Sequence, residues 1–288
     1  MEILFYKDVL LRYLSNSFEN QQDKKNFYKI LNNENSSFLF SKKFLKFIKS
    51  ELDEEDEMLY QSLYTKLADD GYNIRSSETA ETFEEELFHI YSKSQTNIVA
   101  HLAYQKPTEE VLSKIPNMAI FSEIEKPNFH WLVAQLVIQH PHKVDLKCFD
   151  FQENIEVDLL FESIFQIPKH IKKVCIFNTF CNLEHDKFRY LISEGIKVEY
   201  YTKCSGARKR LERQESINQK FNHQTKTFFT KPKEKAHGRR IIFENIIISC
   251  DNDFQNLTVN AADWVIDVQY SESDAEEWLK RCEKYQEF

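Results

Sequence analysis

His237, Gly238 and Arg239 stand at the head of an apolar run, Ile241-Ile242-Phe243, that has the composition of a strand. A histidine two positions before a cation, opening such a strand, is how one class of phosphodiesterase presents its nucleophile. The stretch closes a basic segment in an otherwise acidic chain. The formal net charge is -8, but it is unevenly spread. Residues 1–168 carry 17 Lys+Arg against 28 Asp+Glu, residues 169–240 carry 18 against 7, and residues 241–288 carry 3 against 11. A local cationic excess of this size attracts phosphate, because Lys and Arg contacts release condensed counterions. The bland alternative is that an acidic protein neutralises itself across a domain interface. Within the segment 203–240, the residues placed to meet nucleic acid are Lys203, Arg208, Lys209, Arg210, Arg213, Lys231, Lys233, Lys235 and Arg240.

Other chemistry-bearing residues are sparser. The six cysteines, Cys148, Cys175, Cys181, Cys204, Cys250 and Cys282, form no CxxC pair and mostly sit in strand-like contexts. They read as free thiols in a reducing compartment rather than zinc ligands. His140-Pro141-His142 lacks a nearby Asp or Cys at ligand spacing, so no metal site is expected, and nothing calls for a cofactor. Ser205-Gly206-Ala207 opens a basic helix without Walker spacing. Phe228 and Phe229, among Lys226, Lys231 and Lys233, have the composition of a base-stacking platform, although aromatic residues in a strand more often face the core.

The elements that must position these residues alternate along the whole chain. In the first part, strands are expected at 3–6, 37–40, 97–102 and 118–121. Helices are expected from Asp8, from Ser41 to about 51, at about 55–70, at about 78–93 with Ser77 or Thr79 as cap, and after Pro107. This order predicts a three-layer domain with a small parallel sheet. From about 126 the alternation tightens. Helices are expected at 129–139, 158–166 and 185–194, a basic helix at 207–221 with Lys209 and Arg213 on one face, and a last helix from Ser273. Strands lie between them at 144–149, 173–177, 196–201, 227–229, 241–243, 246–249 and 264–268. Gly195 falls at a helix C-terminus. The fold class is therefore α/β, as two three-layer domains, 1–125 and 126–288. No apolar run approaches the roughly 20 residues of a membrane span, and Met1-Glu2-Ile3 is not a secretory start, so the chain is expected in the cytoplasm.

Residues 173–281 resemble one half of the phospholipase D-like superfamily. The resemblance rests on an ordered series. A strand ends in Asn178-Thr179-Phe180, Glu194-Gly195-Ile196-Lys197-Val198 turns into the next strand, and a basic excursion leads to His237-Gly238-Arg239. A hairpin follows, then Asp251-Asn252-Asp253-Phe254, a closing strand and a helix. The family pattern is His-x-Lys, then Asp, then Gly-Ser-x-Asn. By position the resemblance makes His237 nucleophile or acid, Arg239 the phosphate cation, and Glu244 the replacement for the orienting Asp. Asp251-Asn252 falls on the glycine-serine positions, where a carboxylate would repel phosphate. Because one half-site is present, catalysis on this pattern would need a homodimer that brings two His237 together. A degenerate His-x-Arg form also occurs in the C-terminal domain of microtubule-interacting-and-trafficking proteins, where the fold binds rather than cleaves.

Residues 1–125 resemble, more weakly, a PIN-type nuclease domain. That resemblance implies metal-binding acids at the strand ends: Glu51 fits, Tyr6 stands where the first Asp belongs with Asp8 near, Ala100-His101-Leu102 lacks the expected acid, and Glu84, Glu85 and Glu86 would supply a third carboxylate. Asp53-Glu54-Glu55-Asp56-Glu57 reads as a solvated helix face. Together these features predict a nucleic-acid- or phosphate-binding protein of nuclease-derived fold, suited to antiviral defence or nucleic-acid processing in bacteria. Two rivals are a dimeric phosphodiesterase using His237, and a non-catalytic scaffold docking an acidic protein partner.

Overall fold

The computed structural model describes residues 1–288 except 35, 54–55, 71, 116, 125–127, 140, 179–185, 205, 224, 231–238, 262 and 288. The chain forms two compact units, Met1–His142 and Lys143–Phe288.

In the first unit, five strands pair in parallel: β1 (Glu2–Phe5), β2 (Ser37–Phe40), β3 (Tyr72–Asn73), β4 (Val99–Ala103) and β5 (Met118–Ile120), in the order β3-β2-β1-β4-β5. Parallel neighbours need crossover connections. These carry α1 (Lys7–Leu14), α2 (Gln21–Leu31), α3 (Lys42–Ser50), α4 (Glu57–Asp70), α5 (Phe83–Lys93) and α6 (Glu109–Lys114). All four residues of β1 are buried, as expected of a parallel strand covered on both faces. Phe5 packs on Phe27 of α2, with ring centroids 5.3 Å apart, while the next residue, Tyr6, meets Phe83 of α5 at 5.6 Å.

Helix α7 (Phe129–Ile138) belongs to this unit, so the division falls at 142/143 rather than near 125. Asn33 Nδ2 donates to the carbonyls of Val137 (2.9 Å) and Gln139 (3.1 Å), fixing the end of α7 beside α2. The cap of α5 also differs from expectation. The helix begins at Phe83, where Thr82 Oγ1 accepts from Glu85 N (3.2 Å) and Glu85 returns the bond to Thr82 N (3.1 Å). This reciprocal box satisfies two amide hydrogens that Ser77 or Thr79 could not reach.

The second unit holds β6 (Lys143–Lys147), α8 (Asn154–Phe165), β7 (Val174–Phe177), α9 (Arg189–Ser193), β8 (Val198–Thr202), α10 (Ala207–Lys220), β9 (Thr225–Thr230), β10 (Arg239–Phe243), β11 (Ile246–Cys250), β12 (Val265–Tyr270), α11 (Glu272–Lys280) and β13 (Tyr285–Glu287). One mixed sheet runs β13-β9-β8-β7-β10-β11-β12-β6. Strands β7, β8 and β9 are mutually parallel; β10, β11, β12 and β6 are antiparallel in turn.

On one face Phe177 and Tyr201 stack at 4.6 Å and Tyr201 and Phe228 at 4.8 Å, with Trp278 of α11 edge-on to Phe177. On the other, Phe165 of α8 meets Phe243 at 5.2 Å, and Phe188 meets Phe221, just past α10, at 5.6 Å. Both units are thus α/β. Among the described residues, no helix is long and apolar enough to cross a membrane.

Candidate nucleic-acid interface

Alternation along β10 sends its two arginines to opposite faces of the sheet. Arg239 turns toward the loop after β11. Its Nε bonds Asp253 Oδ1 and its Nη1 donates to the carbonyl of Asp251 at 3.0 Å. Asp251 is itself fixed by Val265 N (2.9 Å), and Asn252 Oδ1 accepts from Asp253 N (2.8 Å). The pair is largely sheltered, with side-chain exposures of 27% for Arg239 and 13% for Asp253. Arg239 is therefore committed to a carboxylate rather than offered to a phosphate.

Arg240 faces the other way and lies 3.8 Å from the centroid of Trp278, which Arg281 also stacks on at 4.0 Å. Burial, and then the charge of Arg281, hold the Arg240 guanidinium below its ordinary pKa. It serves as a packing group on the α11 face.

Glu244 is not part of the Arg239 cluster. With φ of +44° it and Asn245 (φ +69°) make the two-residue turn that joins β10 to β11, and its Oε1 accepts from Lys172 N at 3.0 Å. At strand rise, the five steps from Arg239 to Glu244 span about 17 Å. Glu244 is placed as a residue of that turn. His237, Lys231, Lys233 and Lys235 lie outside the described residues.

The basic helix is different. Gly206 enters it at φ +92°, a conformation strained for any L-residue. At 100° per residue, Ile217 and Arg210 share the inward side with the following Phe221; Ile217 and Phe221 are buried. Arg210 follows that geometry: its guanidinium lies 5.5 Å above the Phe229 ring and Nε donates to the carbonyl of Cys204 at 3.2 Å.

A second side carries Arg208 with Glu212 (3.0 Å) and Glu215, and is close to neutral. The third carries Lys209, Arg213 and Lys220 within an arc of about 40°. Arg213 Nη1 bonds the carbonyl of Lys203, which draws exposed Lys203 to the same side. Among the described residues, Lys209 and Lys220 have no hydrogen-bond or ion-pair partner. Lys220 was missed in reading the sequence, though the helical period from Lys209 and Arg213 points to it. Phe229 is buried and Phe228 stacks on Tyr201, so both aromatics belong to the core and not to a stacking platform.

The first-unit acids singled out by the PIN-type resemblance are likewise engaged. Asp8 accepts from the backbone N–H groups of Tyr104 (3.1 Å) and Gln105 (2.8 Å) at the end of β4. Glu51 pairs with Lys7 (2.8 Å), Glu84 accepts from the Tyr6 hydroxyl (3.1 Å), and Glu85 caps α5. Glu86, fully buried, accepts from Ser41 Oγ (2.5 Å) and Ser77 N (3.1 Å). No three carboxylates converge: among the described residues no group of His, Cys, Asp or Glu could hold a metal ion. Each acid implied by the PIN-type resemblance has a partner within the fold. His142 is buried, with Nδ1 2.7 Å from the carbonyl of Leu136; His140 lies outside the described residues.

No protein-family model matches the sequence, and no curated protein matches it. Among solved structures, similarity is found to polyphosphate kinase from Porphyromonas gingivalis (10% identity, 48% of this chain and 25% of that chain, TM-score 0.39). It is also found to Nuc, a phospholipase D family member from Salmonella typhimurium (12% identity, 51% and 98%, TM-score 0.36). NucT from Helicobacter pylori is similar to the same degree (11% identity, 51% and 99%, TM-score 0.36). The chain spans a quarter of the length of the polyphosphate kinase. At this level of similarity no activity is transferred from any of them.

Proposed function

We propose that the protein binds nucleic acid, or another phosphate-bearing polymer, through the outer side of α10 and the basic sequence Lys231, Lys233 and Lys235. The observation that carries this reading is that Lys203, Lys209, Arg213 and Lys220 fall on one side of the helix, where Lys209 and Lys220 have no hydrogen-bond or ion-pair partner among the described residues. Such a stripe follows a phosphate backbone without reading bases, so affinity falls steeply with salt. The resemblance to the phospholipase D-like half-domain agrees with a phosphate partner. The reading is of binding without turnover, because the cation expected beside His237 is bonded to Asp253.

Fluorescence anisotropy with short labelled DNA and RNA across a salt series tests it. The triple change Lys209→Glu, Arg213→Glu, Lys220→Glu lowers the slope of log K against log salt by about 3 for duplex, one for each lost contact. Absence of wild-type binding at low salt overturns the proposal. Metal-independent phosphodiester cleavage that vanishes in His237→Ala would replace it with the phosphodiesterase.

A further inference from the structure

A polar group lies inside the aromatic face of the second unit, away from α10, and the proposed binding does not use it. Cys175 on β7 stands opposite Glu199 on β8. Cys282 follows α11 and packs against the cluster that contains Cys175, Phe177 and Tyr201. Both thiols are free.

Glu199 Oε2 collects three donors: Tyr201 hydroxyl at 2.7 Å, Lys173 Nζ at 2.9 Å, and Cys175 Sγ at 3.6 Å. Cys175 and Tyr201 also lie within side-chain hydrogen-bond reach of Cys282. Each has one proton and two acceptors. The Tyr201 and Cys175 protons both lie against Glu199, with Cys282 as the second acceptor within reach of each.

We propose that Cys175 and Cys282 are a redox-active dithiol, which a hydroperoxide oxidises to an intramolecular disulfide. The two thiols are unequal in the way such chemistry requires. Cys282 is partly exposed, whereas Cys175 is 1% exposed, so an oxidant meets Cys282 first. Its contact with Cys175 holds the Cys282 thiol below its ordinary pKa against burial and the Glu199 charge, with help from Tyr201 and the Lys173 charge. The same contact, and then burial, push Cys175 up.

In the first step the Cys282 thiolate attacks the peroxide. An S–O bond forms, the O–O bond breaks, and the leaving alkoxide or hydroxide takes a proton. In the second, Cys175 gives up its proton and its sulfur displaces hydroxide from the Cys282 sulfenic acid, which departs as water. The sum is two thiols and one hydroperoxide to one disulfide, one alcohol (water, from hydrogen peroxide) and one water. The bond would tie the turn after α11 to the middle of the sheet. That turn leads into β13, whose partner β9 ends at Thr230 immediately before the basic stretch 231–235.

The test uses the full chain treated with equimolar hydrogen peroxide, then alkylated and mapped by mass spectrometry. A Cys175–Cys282 cross-linked peptide, reversed by dithiothreitol, is expected. Cys175→Ser stops at a dimedone-reactive sulfenic acid on Cys282, and Cys282→Ser slows oxidation of Cys175 by at least about tenfold. Failure to find the cross-link while part-exposed Cys148 or Cys204 oxidises overturns the proposal, as does a Cys175→Ser protein without the dimedone adduct. Should either variant misfold, the wild type alone decides. The pH midpoint of Cys282 alkylation lies below that of the same cysteine in the unfolded chain, and a midpoint above it overturns the assignment.

Discussion

Arg239 on β10 and Lys209 on α10 belong to one basic stretch of chain, but the fold disposes of their charges differently. Arg239 sits on a central strand beside β11, whose following loop carries Asp251 and Asp253, and the carboxylate of Asp253 meets it in a sheltered position. Lys209 sits on a surface helix that buries Ile217 on its inward side and leaves the outer side to water. The first unit repeats the Arg239 pattern with the opposite sign at Asp8, Glu84 and Glu86, which accept hydrogen bonds from Tyr104, Tyr6 and Ser41. A charge count along the sequence adds both kinds together, but only the second kind can recruit a partner.

The sharpest test of this distinction is Glu86→Ala. It orphans Ser41 Oγ and Ser77 N beside a new cavity, and is expected to cost about 3 kcal/mol in urea denaturation. A loss typical of a surface charge would erase the contrast. Asp253→Ala follows, at about 1–3 kcal/mol, the lower part of the range reflecting residual solvent screening of Arg239. The same variant releases a cation, so its oligonucleotide affinity rises as its stability falls. Lys209→Ala lowers the salt slope of binding by about 1, whereas Arg239→Ala leaves it unchanged; equal effects would break the comparison.

The smallest effect concerns Asp8. Burial raises its carboxyl pKa more than the Gln105 and Tyr104 N–H groups lower it. With the folded value above the unfolded one, this group's contribution to stability is fully present below about pH 4 and is lost as pH rises through the folded value. Asp8→Asn removes that loss. Stability curves of the two proteins then diverge on going from pH 3 toward neutrality.

Periodicity made most elements legible. Ser41, expected as a cap, accepts from Phe44 N at 3.0 Å, and Gly195 takes φ +65° at the end of α9. Helix α2 was not legible because only Phe27, Ile30 and Leu31 of its eleven residues are buried. The two-residue β3 and three-residue β13 are too short to show a period. At the site, the shared side of Lys209 and Arg213 could be read locally. The partners of Arg239 could not, because Asp253 reaches it only after β10 and β11 fold into a hairpin. Cys175 and Cys282 meet from opposite ends of the second unit, and no spacing rule connects them.

In the second unit, β6 comes first in the chain and β13 last, and they are the two outermost strands of the sheet. Seven inter-strand spacings put them about 34 Å apart. Trimming either end therefore strips an edge and leaves the middle of the sheet paired. The β6 ladder joins Lys147 to Val265, so it closes one of the longest loops in the unit. Such a seam repays its closure entropy only after β10, β11 and β12 have formed. Amide exchange should accordingly show β6 opening at lower free energy than the β10–β11 hairpin, giving this sheet a rigid centre and a hinged margin.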